Sequence, residues 1–463
     1  MKASYAVNRP LGDFGRSEPP KQPSLVAFKN ATLWTCGPAG IVDGGTVVVR
    51  DGKIVAVGKE VSIPDGAEVI DATGRHITPG IIDCHSHMAT DGGVNESTQA
   101  ITAEVRVGDF VDADDITIYR QLAGGVTAAN VLHGSANPIG GQNQVIKLRW
   151  GETAEKLKFV DAPQGIKFAL GENVKQSSLE ARLATRYPQS RMGVEQIIRD
   201  AFARARDYSA DWDRWNASHS GMPPRRDLEL DALAEILQKK RWVHCHSYRQ
   251  DEILALIRVF DDHEITIGSL QHILEGYKVA DAMAKHGATG SSFSDWWAYK
   301  YEVFDSIPFN GALMHRQKVV VSFNSDDDEL GRHLNHEAAK AIKYGSVPRE
   351  EALKFVTLNP ARQLRIDRWV GSLETGKHAD LAVWSGDPLS VRSRCEETWI
   401  DGRKYFDRDD DRALREAQLK MRAALMRKIL DSGQAMQSAA DRQPEEWELW
   451  PRHDEACHDG HDH

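Results

Sequence analysis

Two histidines one residue apart, His85 and His87, close the apolar run Pro79-Gly80-Ile81-Ile82-Asp83-Cys84. Residues i and i+2 of a strand face the same way, so both imidazoles project from one strand end toward a common point. Such a pair chelates a divalent ion, and the chemistry of such an ion is the activation of water and the polarisation of a carbonyl. Two imidazoles need further ligands, and other apolar runs end in them. His244 closes Arg241-Trp242-Val243, His272 closes the run 265–271, Asp326 closes the run 318–325, and Lys167 sits inside Gly165-Ile166-Lys167-Phe168-Ala169-Leu170.

Spacing tests whether these residues reach one place, because a βα unit of an eight-stranded barrel takes about 30 residues. From His85 to Lys167 is 82 residues, or three units, which puts Lys167 on strand 4 if His85 and His87 end strand 1. From His244 to His272 is 28, one unit, and from His272 to Asp326 is 54, two units. Strands 1, 4, 5, 6 and 8 would then each deliver a ligand to the same face. The 77-residue step from Lys167 to His244 is too long for one unit, and residues 177–240 read as a helical insertion. His246 faces the same way as His244 and competes with it for the strand 5 position.

These residues need a scaffold, and the chain has two textures. Residues 26–78 are short apolar runs broken by Gly and Asp, with Asp51-Gly52 a hairpin signal. A matching β texture returns over 369–408. Between them, over 79–368, strand-like runs (76–83, 126–133, 165–170, 241–246, 265–272, 287–293 and 318–326) alternate with helical stretches. That alternation is the pattern of a parallel α/β fold. Residues 1–25 form an N-terminal extension, and 409–463 a charged amphipathic helix followed by a His-rich polar tail containing Cys457, whose composition reads as a disordered end.

Composition limits the partners. The chain has 463 residues, 41% hydrophobic and 27% charged, with a formal charge of -10 and no basic run of the kind that tracks a phosphate backbone. A small-molecule substrate is therefore expected, with no nucleic acid, and a homo-oligomer stays open. Five scattered cysteines without a CxxC pair argue against a disulfide framework. The absence of a long apolar span and of a secretory h-region leads to the expectation of no membrane and a cytoplasmic protein.

The run Pro79–His87, with His244, His272 and Asp326, and the closing Thr357-Leu358-Asn359-Pro360-Ala361-Arg362-Gln363-Leu364 and 371–384 segments, resembles the amidohydrolase superfamily, in particular its imidazolonepropionase-like and dipeptidase-like members. The resemblance covers roughly 26–406. It implies a (β/α)8 TIM-type barrel with a small flanking β-sandwich formed by the N- and C-terminal segments. It also implies a centre of one or two divalent ions, commonly zinc. In that frame His85 and His87 are the strand 1 pair, His244 and His272 the ligands of strands 5 and 6, and Asp326 the strand 8 aspartate. The family's ligand is the first histidine after the apolar strand, which selects His244 over His246. Lys167 resembles the strand 4 lysine that is carboxylated to bridge two ions, with Glu172 as the rival carboxylate.

The resemblance further implies hydrolysis of a C–N bond in a cyclic amide, an N-acyl amino acid or a dipeptide-like substrate, with Asp326 as general base and acid. Two loops are expected to read the substrate. One, after strand 3, holds His133 and Gln142 with glycines that admit a close ligand. The other, after strand 7, groups Trp297, Tyr299 and Lys300, an aromatic set with a cation suited to an apolar body and a carboxylate. His246 and Arg332 complete the substrate set. A deaminase of the same superfamily is the alternative. Deaminases use a Glu shortly after the strand 5 histidine, and Glu252 lies eight residues beyond His244. A non-catalytic scaffold is disfavoured by the intact ligands.

Overall fold

A computed structural model describes residues 9–10, 14–90, 92–175, 186–296 and 299–433. The His-rich tail, Cys457 and Trp297 lie outside the described residues. Two eight-stranded sheets organise the chain.

The first sheet joins both chain ends. It is built from β1 (Leu25–Trp34), β2 (Ile41–Arg50), β3 (Lys53–Gly58), β4 (Glu68–Asp71) and β5 (His76–Pro79) with the late strands β14 (Leu381–Trp384), β15 (Cys395–Ile400) and β16 (Arg403–Asp407). The order is β16-β15-β14-β5-β1-β2-β3, with β4 on β1. The Asp51-Gly52 turn joins β2 to β3 with positive φ at both residues, 48° and 81°, as a two-residue hairpin requires. The late segment joins by pairing β14 antiparallel with β5. It thus makes one flanking sheet, where the sequence led to a sandwich.

The second sheet forms a nearly closed barrel, β6 (Ile81–Ser86), β7 (Val126–Val131), β8 (Ile139–Lys147), β9 (Gln164–Ala169), β10 (Arg241–His246), β11 (Ser269–Gln271), β12 (Thr289–Ser292) and β13 (Val321–Phe323), each paired with the next. The first and last strands approach where Asp326 N–H donates to His85 O at 3.0 Å. Residues 76–83, expected as one strand, divide at Gly80 between the two sheets. A Cβ there would strike Thr127, so the chain passes from sheet to barrel only with glycine at this position.

One strand departs from the parallel expectation. β8 runs antiparallel to both β7 and β9. The link from β7 to β8, residues 132–138, is too short for a parallel crossover, which needs a dozen or more residues, so the chain can only turn back. Residues 133–142 therefore form a hairpin between barrel strands 2 and 3, where the sequence led to a loop after strand 3.

Helices back the remaining strands. The long β9–β10 connection contains helices Arg191–Ser218 and Leu228–Leu237, and single helices Gln250–Asp262, Gly276–His286 and Asn310–Arg316 follow β10, β11 and β12. Helix Leu358–Gln363 sits against the barrel, with Asn359 donating to Val321 O at 2.7 Å and Gln363 to Gly290 O at 2.9 Å. The four described cysteines are buried and unpaired. Among the described residues no helix is long and apolar enough to cross a membrane.

Candidate metal centre

Four ligand-capable side chains meet at the end of the barrel where the parallel strands finish. His85 Nε2 lies 3.2 Å and His87 Nε2 3.1 Å from Asp326 Oδ1, and His272 Nε2 lies 3.4 Å from Asp326 Oδ2. One ligand atom from each of His85, His87 and Asp326 falls within 4.8 Å of the others. The Lys167 ammonium, fully buried, approaches His85 Nε2 at 3.2 Å. Glu172, in the loop beyond β9, is not part of this cluster; its backbone N–H donates to Glu302 at 3.1 Å.

Two of these residues have strained backbones. His272 and Asp326 end their strands in the left-handed region, with φ of 53° and 49°. Non-glycine residues rarely pay that cost except where the surroundings impose it, commonly at functional sites. Here it turns both side chains toward the barrel axis, off the ends of the strands.

The strand 5 pair resolves differently from the sequence expectation. His244 pairs in register with Lys167 and Ser269, one layer deeper than His246, which is level with Ala169 and Gln271. His244 Nδ1 bonds Ser269 Oγ at 2.7 Å, and its Nε2 lies over Gly165, where a Cβ would come within 2.9 Å. His246 instead sits with its ring 5.1 Å from the His272 ring, and neither of its nitrogens has a hydrogen-bond partner. The histidine two residues nearer the mouth therefore faces the cluster, and His244 is held by a hydroxyl below it.

Burial keeps the imidazoles neutral. It pushes His272 and His244 down to about 3 and His85 and His246 well below the usual histidine range, with Lys167 adding to the effect at each. Asp326 goes the other way: burial opposes its ionisation, yet His272 and His85 outweigh that and hold it well below the usual carboxylate range. Neutral nitrogens around an ionised carboxylate are the protonation states that metal ligation needs. The buried Nδ1 of His85 and both nitrogens of His246 and His272 form no hydrogen bond, a rare condition for buried polar atoms, and a cation in the cluster would engage one nitrogen of each of the His246 and His272 rings. His87 donates from Nδ1 to Leu132 O at 3.0 Å, which orients its Nε2 to the centre.

The expected substrate residues divide. Tyr299 and Lys300 stand at the site: Tyr299 donates to the Tyr248 hydroxyl at 3.1 Å, and Lys300 Nζ lies 4.8 Å over the Tyr248 ring, itself 4.4 Å from the His246 ring. His133 is committed elsewhere, with Nδ1 on Gly134 O at 2.9 Å and Nε2 accepting from Glu96 N at 2.8 Å. The glycines expected to admit a ligand admit this ring instead, since a Cβ at Gly140 or Gly141 would come within 2.7 or 3.0 Å of it. Gln142 lies in β8 and donates to Ala103 O at 2.9 Å. Arg332 is exposed and pairs with Glu329 at 3.0 Å, on the turn Leu330–His333 rather than at the cluster.

Sequence reasoning missed a buried acidic pair beside the site. Glu302 and Glu252 both pair with Arg191, each at 3.1 Å. Three residues from separate segments carry no shared motif that would have found them.

A model of the Amidohydrolase family matches residues 196–406. A solved amidohydrolase from Thermotoga maritima superposes with a TM-score of 0.76 at 32% identity, over 83% of this chain and 100% of that one. The amidohydrolase tasK of Hapsidospora irregularis is 30% identical over 431 residues, covering 83% of this chain, and the chain spans 43% of that relative's length. An imidazolonepropionase of Mesorhizobium japonicum is 25% identical over 391 residues, 78% of this chain and 92% of its own. With the strand-end histidines and Asp326 brought to one barrel mouth, these likenesses show that the chain belongs to the amidohydrolase superfamily.

Proposed function

We propose that this chain is a metal-dependent hydrolase of carbon–nitrogen bonds, acting on a cyclic amide, an N-acyl amino acid or a dipeptide-like amide. The observation that carries this is the convergence of His85, His87 and Asp326 on one point, beside buried His246 and His272 nitrogens that form no hydrogen bond. His85, His87, His246, His272 and Asp326 would hold the ion. Imidazole nitrogen with carboxylate oxygen is a zinc donor set, and Lys167 beside His85 would admit a second ion if carboxylated. When bound, a divalent ion supplies Lewis acidity, bringing the pKa of water from 15.7 toward about 7 and polarising the scissile carbonyl.

The chain's own residues do the rest. Asp326 Oδ takes the proton of the attacking water and returns it to the leaving nitrogen, a role that needs the carboxylate ionised at rest. The left-handed turn at Asp326 fixes where that oxygen points. The deaminase alternative needs a free Glu just beyond strand 5. Glu252 accepts from Gly171 N at 3.1 Å and pairs with Arg191, which favours hydrolysis over deamination.

The test is metal analysis joined to a hydrolysis screen over N-acyl amino acids, dipeptides, hydantoins and lactams. At least one tightly bound divalent ion per chain is expected, lost when His85 and His87 are changed to Asn. Protein that holds less than one ion, or keeps it after those changes, would overturn the reading.

A further inference from the structure

We propose that the site takes a substrate bearing an anionic group of the carboxylate kind, that Lys300 receives it, and that Asn173 positions Lys300. This rests on the hydrolase reading above. An aromatic wall rises from the metal cluster: Phe293 stacks on His272 with ring centroids 5.0 Å apart, and Trp296 stacks on Phe293 at 4.5 Å. Tyr248 packs against His246, Tyr299 reaches the Tyr248 hydroxyl, and the Lys300 ammonium caps the Tyr248 ring at 4.8 Å.

The wall sets one cation, Lys300, beside two tyrosine hydroxyls. The two hydroxyls can donate as well as accept, and an ammonium offers three donors and no acceptor. A substrate laid along the wall from Asp326 would meet an apolar face and then a cation.

Lys300 is placed by two neighbours. Its Nζ donates to Asn173 Oδ1 at 3.1 Å and stands 3.6 Å from Glu302 Oε1. Glu302 is shared. Its carboxylate, 1% exposed, also pairs with Arg191 at the start of the helical insertion and accepts the backbone N–H of Glu172. This one carboxylate ties the strand 4 loop, the insertion and the strand 7 loop to a single point. The insertion that lengthens this barrel therefore acts on specificity through Arg191.

The experiment measures binding by calorimetry, and turnover in parallel, on zinc-loaded full-length enzyme. The probes are a panel of N-acetyl amino acids, each with its neutral N-methylamide. The anion is expected to bind roughly 10- to 100-fold more tightly than its neutral partner, the range of a hydrogen bond to a charged group. Lys300→Met should bring that ratio close to one with metal content unchanged, Lys300→Arg should keep part of it, and Asn173→Ala should fall between. Neutral probes binding as well as anions, no probe binding, or a ratio that survives Lys300→Met would overturn the proposal. Lys300-dependent anion binding without cleavage of any C–N bond would sink the hydrolase reading alone. Cleavage without charge preference would sink this one alone.

Discussion

Two buried polar clusters sit at different places in this molecule, and only one has the marks of chemistry. Where the barrel meets the flanking sheet, Lys147 is fully buried and its ammonium is met by His378 Nδ1 at 2.9 Å, Asp380 Oδ2 at 2.9 Å and Asp401 Oδ1 at 2.6 Å. Arg149 covers the other Asp401 oxygen at 2.7 Å. Three donors meet three acceptors, and charge is balanced. At the barrel mouth the same residue types are as deeply buried, yet His246 and His272 form no hydrogen bond. Burial and charge are common to both. A left-handed residue is shared as well, Asp401 having φ of 50°, and what distinguishes the mouth is a group of buried imidazole nitrogens without hydrogen bonds.

The contrast can be broken most sharply by removing its centres. Asp326→Asn should lower kcat/KM by about 10²- to 10⁴-fold, the range for losing a general base, in a protein that melts near the wild type. Lys147→Met should do the reverse, destabilising the fold by about 3–5 kcal/mol because Asp380 is left buried without a cation and Asp401 keeps only Arg149, while the soluble fraction keeps its metal and its turnover. If Lys147→Met lost metal with stability intact, the lower cluster would belong to the site.

A finer comparison lies within strand β10. His246→Asn should lower zinc occupancy measured by inductively coupled plasma mass spectrometry, and His244→Asn should leave it at the wild-type level. The opposite outcome would return His244 to the ligand set. Arg191→Met should cost about 3 kcal/mol, since Glu252 would be left without a cation and Glu302 with Lys300 alone, and chemical denaturation would register it.

A last comparison is in pH. In metal-free protein the unfolded imidazole of His244 takes up a proton near pH 6.5, whereas the buried one stays neutral down to about 3. Unfolding therefore binds a proton in that window, so the folded state loses stability as pH falls from 6.5 toward 3 and is unaffected above it. Each such histidine steepens the fall by about 1.4 kcal/mol per pH unit, and His244→Asn should remove one histidine's share.

Much of this arrangement was legible in the sequence because barrel periodicity carries information over long spans. The steps from His85 to Lys167 and from His272 to Asp326 count whole βα units, and those side chains do arrive at one mouth. Between His244 and His246 the count gives nothing, since both face inward. Depth decided it, through the register with Ser269 and the space over Gly165. β8 was hidden for a related reason: Gly140 and Gly141 look like a turn but serve the His133 ring lying over them. Arg191, Glu252 and Glu302 were hidden by distance along the chain.

The reversed strand β8 also governs how this enzyme could change. In a barrel whose strands all run one way, every mouth segment leads into its own helix and can lengthen independently. Here the segment between β7 and β8 is the tip of a hairpin whose two legs are ladder-paired, so an insertion there frays pairing instead of extending a wall. Natural or laboratory diversification of substrate range is expected in the other mouth segments, after β9 and β12, where the long insertion and Lys300 already sit.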